Sequence, residues 1–82
     1  MIHRNDITAK IYERLSGQIN DATLAAWAFD HFYAIEQAEE EVEANAQELV
    51  ADALDELMFA DEKPFALDDA DLRRLIARLQ QP

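Results

Sequence analysis

The 82 residues are enough for one domain, near the size at which a hydrophobic core only just suffices. Half of them are apolar, so the chain is not disordered by composition, and one glycine with two prolines supplies too few turn formers for an all-β fold. The absence of cysteine excludes disulfides and thiolate chemistry and gives an oxidising compartment no support, while a net charge of −11 repels nucleic acid and anionic membranes and favours a basic partner.

The opening stretch, MIHRND, lacks the apolar segment of a signal peptide, and His3 is expected in a frayed terminus. The longest apolar run, Leu24 to Phe29, covers six residues, against about 20 for a membrane span. The expectation is a cytoplasmic protein.

Four helices are predicted in chain order. The first runs over about 6–16, with Ile7, Ile11 and Leu15 on one stripe, Asn5 as N-cap and Gly17 as a left-handed C′ residue. The second, about 21–36, follows Asn20, with Ile19 and Leu24 at the positions of a hydrophobic staple. Leu24, Trp27, Ala28, His31 and Ile35 share one face. Phe29, Phe32 and Tyr33 widen it until little polar surface is left, which suits a helix buried centrally or at an interface.

The third helix, about 42–60, carries the stripe Ala46, Leu49, Val50, Ala53, Leu54, Leu57 and Met58. No glycine or proline marks its join with the second, so Gln37 to Asn45 reads as loop or as continuous helix. A break is favoured, because an unbroken helix over 21–60 would be about 60 Å long and would not fold back on itself. Asp61 to Leu67 reads as a loop in which Pro64 refuses the helix. The fourth helix, about 69–80, opens on Asp68 as N-cap and buries Leu72, Leu75, Ile76 and Leu79. Its Arg73, Arg74 and Arg78 lie towards the C-terminal end, where cations suit the dipole. The expected fold is an all-α, compact, antiparallel four-helix bundle-like domain.

The negative charge is concentrated. Residues 36–71 hold 14 acids and one base, Lys63. Asp68, Asp69 and Asp71 favour the dipole of the fourth helix and need no other purpose. The third helix is different: Glu48, Asp52 and Glu56 recur every four residues with Asp55 alongside, and like charges at that spacing cost a few tenths of a kcal/mol per pair. No base lies between Glu36 and Glu62. With Glu41 the row extends to about 22 Å and imitates the anions of a phosphate backbone. Glu41, Glu48, Asp52, Asp55, Glu56, Asp61 and Glu62 are therefore the candidate partner-binding residues, set against the plainer reading of a solvated face.

Catalytic chemistry finds no foothold in the residues. Ser16, the one serine, sits at a helix end, and His3 and His31 are far apart. His31, among aromatics, reads as a partly buried structural residue. No HExxH occurs, Glu36-Gln-Ala-Glu39 lacks the histidine of a bundle di-metal site, and the acidic loops lack the calcium pattern with its central glycine. There is no Gly-rich phosphate loop. Neither an enzyme nor a cofactor or metal is expected.

The segment ELVADALDELMFADEKPFALDDADLRRLIARLQ joins an amphipathic helix, an acidic Pro-containing loop and a Leu-Asp-Asp-x-Asp-Leu opening of a final helix. Before it, RLSGQINDATLAAWAF gives a helix, a Gly turn and an aromatic-bearing helix. In this layout the chain resembles the small acidic helical bacterial immunity proteins of the colicin D-type family. It lacks the Tyr-Tyr-Pro segment of the DNase-colicin immunity proteins. The resemblance implies an inhibitor that plugs the basic cleft of a tRNA-cleaving or other nuclease toxin by mimicking RNA, with the third-helix acids and the 61–71 loop in that role. Tyr33, Trp27 and Phe65 are candidate apolar anchors. The alternative is a homodimeric structural or regulatory interaction module, since WAFDHFY exceeds what one small core easily buries.

Overall fold

Apolar side chains recurring every three or four residues wind into four helices. A computed structural model describes residues 1–62 and 66–81. It places α1 at Arg4–Leu15, α2 at Asp21–Glu36, α3 at Gln47–Leu57 and α4 at Asp69–Leu79. The described residues include no strand, so the fold is all-α and bundle-like, as the periodicity predicts. α2 packs on α3 and α1 on α4. α1 also meets α2 and α3, and α3 meets α4, whereas α2 and α4 make no close approach. The radius of gyration is 11.8 Å, close to the roughly 11.7 Å of a compact chain this long.

One core draws on all four helices. Ile7 and Ile11 of α1, Leu24 and Ala28 of α2, Val50, Ala53, Leu54 and Leu57 of α3, and Leu72, Leu75, Ile76 and Leu79 of α4 form a single buried cluster. Leu15, Ile19, Leu49 and Met58 are half-buried against it. Of the two expectations for α2, central burial or an interface, central burial is not met: Phe29 and Tyr33 remain 47% and 44% exposed. Trp27, His31, Phe32 and Ile35 are half-buried beside Leu24, Ala25 and Ala28.

The N-terminus is not frayed. Ile2 is 1% exposed and forms a parallel bridge with Val42. Its N–H donates to Glu41 O at 2.8 Å, and its carbonyl accepts from Glu43 N–H at 2.9 Å. This anchor lets α1 begin at Arg4 with His3, not Asn5, as its N-cap. The His3 N–H donates to an Asp6 carboxylate oxygen at 2.8 Å, and the Arg4 N–H to Glu43 Oε1 at 3.2 Å. Early donors that the helix leaves open are thereby satisfied.

The same bridge moves the start of α3. Val42 is taken by Ile2, so residues 37–46 form a strap and the helix starts at Gln47, five residues later than the periodicity suggested. It stops at Leu57, and a turn carries the chain through Ala60, which is buried.

The break after α2 uses a motif that α1 also uses. At the end of α1, Gly17 has φ +84°. Gln18 N–H donates to Glu13 O at 2.9 Å and Gly17 N–H to Arg14 O at 3.1 Å. At the end of α2, Ala38 takes φ +59°. Glu39 N–H donates to Ala34 O at 2.8 Å and Ala38 N–H to Ile35 O at 3.0 Å. Both are Schellman caps. The second puts an alanine where a Cβ is disfavoured by about 1 kcal/mol, and Asn45 (φ +66°) repeats the left-handed turn just before α3.

The remaining helix starts match expectation. Asn20 Oδ1 accepts from Thr23 N–H at 2.8 Å. Asp68 Oδ1 accepts from Asp71 N–H at 2.8 Å, and Asp71 returns the bond to Asp68 N–H at 3.3 Å. α4 ends at Leu79, within a residue of its expected end. Pro64 as helix breaker, and with it Lys63 and Phe65, lies outside the described residues.

Candidate functional site

α3 positions the site because its sequence is strictly two-faced. Val50, Ala53, Leu54 and Leu57 are buried, so Glu48, Asp52, Asp55 and Glu56 project outward and are exposed. Glu48 and Glu56 lie eight positions apart, about 12 Å along the helix. Glu41 does not extend the row. It lies in the strap, where its carbonyl accepts the Ile2 N–H, so the expected 22 Å line is roughly halved. Asp61 and Glu62 are exposed in the turn beyond α3, not on its face.

The bases are mostly committed elsewhere. Arg4 pairs with Glu43 at 3.3 Å and Lys10 with Glu13 at 3.6 Å. Arg14 pairs with Asp21, and with Asp69 at 3.7 Å. Its hydrogen bond to Asp21, opposed by desolvation and helped by the charges of Asp21 and Asp69, raises Arg14 above the usual arginine range. Arg74 pairs with Asp71. Arg78 alone among the described bases reaches the α3 row, meeting Glu56 Oε2 at 2.8 Å. Glu56 is thus neutralised. Glu48, Asp52 and Asp55 have no ion pair among the described residues.

This leaves α3 electrostatically unfavourable on its own. Its last turn carries Asp55 and Glu56 and no base, the reverse of what the helix dipole favours. Spacings of three and four residues place the three free carboxylates side by side.

Two acids of the acidic stretch turn out to be structural, which their sequence positions did not reveal. Glu43 binds Arg4 and the start of α1. Glu40 meets His31 Nδ1, and the His31 ring lies 4.6 Å from that of Trp27. His31 is therefore the partly buried structural residue that its surroundings suggest.

The anchor candidates divide. Trp27 is half-buried with Lys10 Nζ 5.9 Å from its ring centre. Tyr33 is exposed and meets Phe29 with ring centres 4.5 Å apart and planes tilted by 47°. Phe65 lies outside the described residues.

Sequence reasoning missed an open cleft of about 860 Å³ between the C-terminal end of α3 and α4. Phe59, Leu67, Leu75 and Ala77 supply apolar lining, with Asp55, Glu56, Arg74 and Arg78 among its charged residues. It forms where α3, α4 and the segment between them (Phe59, Ala66, Leu67) come together, so no local pattern announces it. A smaller hollow of about 320 Å³ lies by Met1, Asp6, Glu13, Trp27, His31 and Glu40. Its three carboxylates are already paired with His3, Lys10 and His31.

Among the described residues, no group of three His, Asp or Glu side chains is placed to hold a metal ion. Among the described residues no helix is long and apolar enough to cross a membrane. Comparison of the chain with protein-family models, with curated proteins and with solved structures returns no match.

Proposed function

We propose that this protein binds a basic partner through the carboxylate face of α3, as an inhibitor covering a cationic nucleic-acid-binding surface. An immunity protein for a nuclease-type bacterial toxin, held in the cytoplasm with it, is the form of that reading which the sequence resemblance favours. One observation carries it. Glu48, Asp52 and Asp55 stand exposed on one rigid helix with no ion pair among the described residues, although Arg78 on the adjacent helix pairs with Glu56. Side chains that repel one another persist when a partner of opposite charge docks there. Such a face speeds association by steering, and salt weakens the effect.

The test is association with a candidate nuclease toxin as ionic strength rises, repeated with Glu48, Asp52, Asp55 and Glu56 changed to Gln or Asn. The native rate falls steeply with salt, and the variant associates slowly at every salt concentration. Equal rates for the two proteins would overturn the reading.

A second reading rests on a different observation. Phe29 and Tyr33 form an exposed aromatic pair on α2, and Ala22 and Ala26 continue that outer face. This suits a homodimeric interaction module. Sedimentation separates the two: a tight dimer favours the α2 surface, and a monomer with its acidic face free favours the first reading.

A further inference from the structure

We propose that the α3–α4 cleft seats an amphipathic basic helix of the partner, with apolar side chains in the cleft and its lysines or arginines along α3. The inference rests on the carboxylate-face reading and adds what the face alone lacks, an apolar anchor point. Electrostatic steering gives rate and orientation, whereas affinity concentrates where apolar groups are desolvated at the centre of a contact. The carboxylate row leads to such a place. Asp55 and Glu56 belong both to the row and to the cleft, and Phe59, in the turn just beyond α3, lines the same cleft.

The charges around the cleft select the occupant. On the α4 side Arg74 and Arg78 are held by Asp71 and Glu56, so neither attracts an acidic partner strongly. On the α3 side Asp55 lines the cleft with no ion pair among the described residues, and Asp52 and Glu48 continue the negative charge one and two turns back. The unbalanced charge is therefore anionic and lies along one lip. A helix with basic residues on one flank matches it, because its own turns repeat at the spacing of the α3 carboxylates. An amphipathic helix laid in a groove between two helices is a recurring recognition mode.

The probe is a leucine–lysine peptide of about four helical turns with its leucines on one face. A lysine–glutamine peptide of equal length and charge is the control. Both are titrated calorimetrically, and the protein's backbone amides are followed by NMR. The leucine–lysine peptide is expected to bind about tenfold tighter than the control, with shifts centred on Phe59, Leu67 and Arg78. Phe59→Ala brings the two peptides to similar affinity. Ala77→Gln does the same in part, and it leaves charge and helix propensity nearly unchanged should Phe59→Ala unfold the chain. The triple change Glu48→Gln, Asp52→Asn, Asp55→Asn weakens both peptides alike.

If the two peptides bind native protein equally and Ala77→Gln changes nothing, the cleft is not the seat, and the carboxylate reading stands without it. Shifts centred on Phe29 and Tyr33 instead of the cleft overturn the proposal as well. If neither peptide distinguishes native protein from the triple variant, the carboxylate reading itself fails and the cleft proposal falls with it.

Discussion

α3 and α4 solve the same packing problem with opposite surfaces. Each is 11 residues long and buries four residues in the common core. α4 carries Asp69 and Asp71 in its first turn and Arg78 in its last, as the dipole favours. It opens on a reciprocal Asp68–Asp71 cap and pairs both Arg74 and Arg78. α3 opens on Ala46, which offers no side-chain cap, and carries acids to its last turn without a base. The difference separates what folding requires from what it does not. The inward faces of both helices are explained by burial, and the outward face of α4 by local electrostatics. On the outward face of α3 Glu48, in the first turn, suits the dipole and Glu56 is paired by Arg78, but Asp52 and Asp55 are explained by neither among the described residues.

The largest effects are expected in the core. Leu54→Ala on α3 and Leu72→Ala on α4 each remove a fully buried side chain. Each is expected to cost about 2–5 kcal/mol in urea denaturation. A much smaller loss for Leu54 would mean that α3 is not an equal partner in the core.

The entrances to the helices come next. Asp68→Ala removes a cap whose oxygen meets the Asp71 N–H at 2.8 Å. It is expected to lower stability by about 1 kcal/mol. On the chain leading into α3, Ala38→Gly relieves a left-handed alanine at φ +59°. It is expected to raise stability by about 0.5–1 kcal/mol. A destabilising Ala38→Gly would contradict the cap geometry.

The surface gives the smallest effect. Asp52→Lys replaces two repulsive neighbours, Glu48 and Asp55, by attractive pairs four residues before and three after. Thermal melting is expected to show a gain of about 0.5 kcal/mol at low salt, fading as salt rises. No gain would mean that the α3 carboxylates do not repel each other as described.

The sequence was informative where a pattern repeats within one element. The buried stripes of α3 and α4 stand at helical spacing, and Asn20 and Asp68 cap the helices as their side-chain chemistry suggests. It was silent where a single residue acts at long range. Ile2 is one apolar residue outside any periodic run, and yet it bridges to Val42 and resets the starts of α1 and α3. The two Schellman caps show the limit within one motif: glycine announces the first, and alanine hides the second. Of the candidate site, the α3 acids were legible because they share a face. The departure of Glu41 and the loss of Glu56 to Arg78 were not, since each depends on how distant segments meet.

Under the proposed function the α3 carboxylates without an ion pair among the described residues oppose stability and persist for a cationic partner. Calorimetric melting of the native chain and of Glu48→Gln/Asp52→Asn/Asp55→Asn, each with and without a lysine-rich peptide, tests it directly. Alone, the variant should melt a few degrees higher, at roughly 4–8 °C per kcal/mol for a domain of this size. The peptide should raise the native midpoint and leave the variant unmoved. A variant that melts no higher than the native chain, and responds to the peptide just as strongly, would contradict the claim.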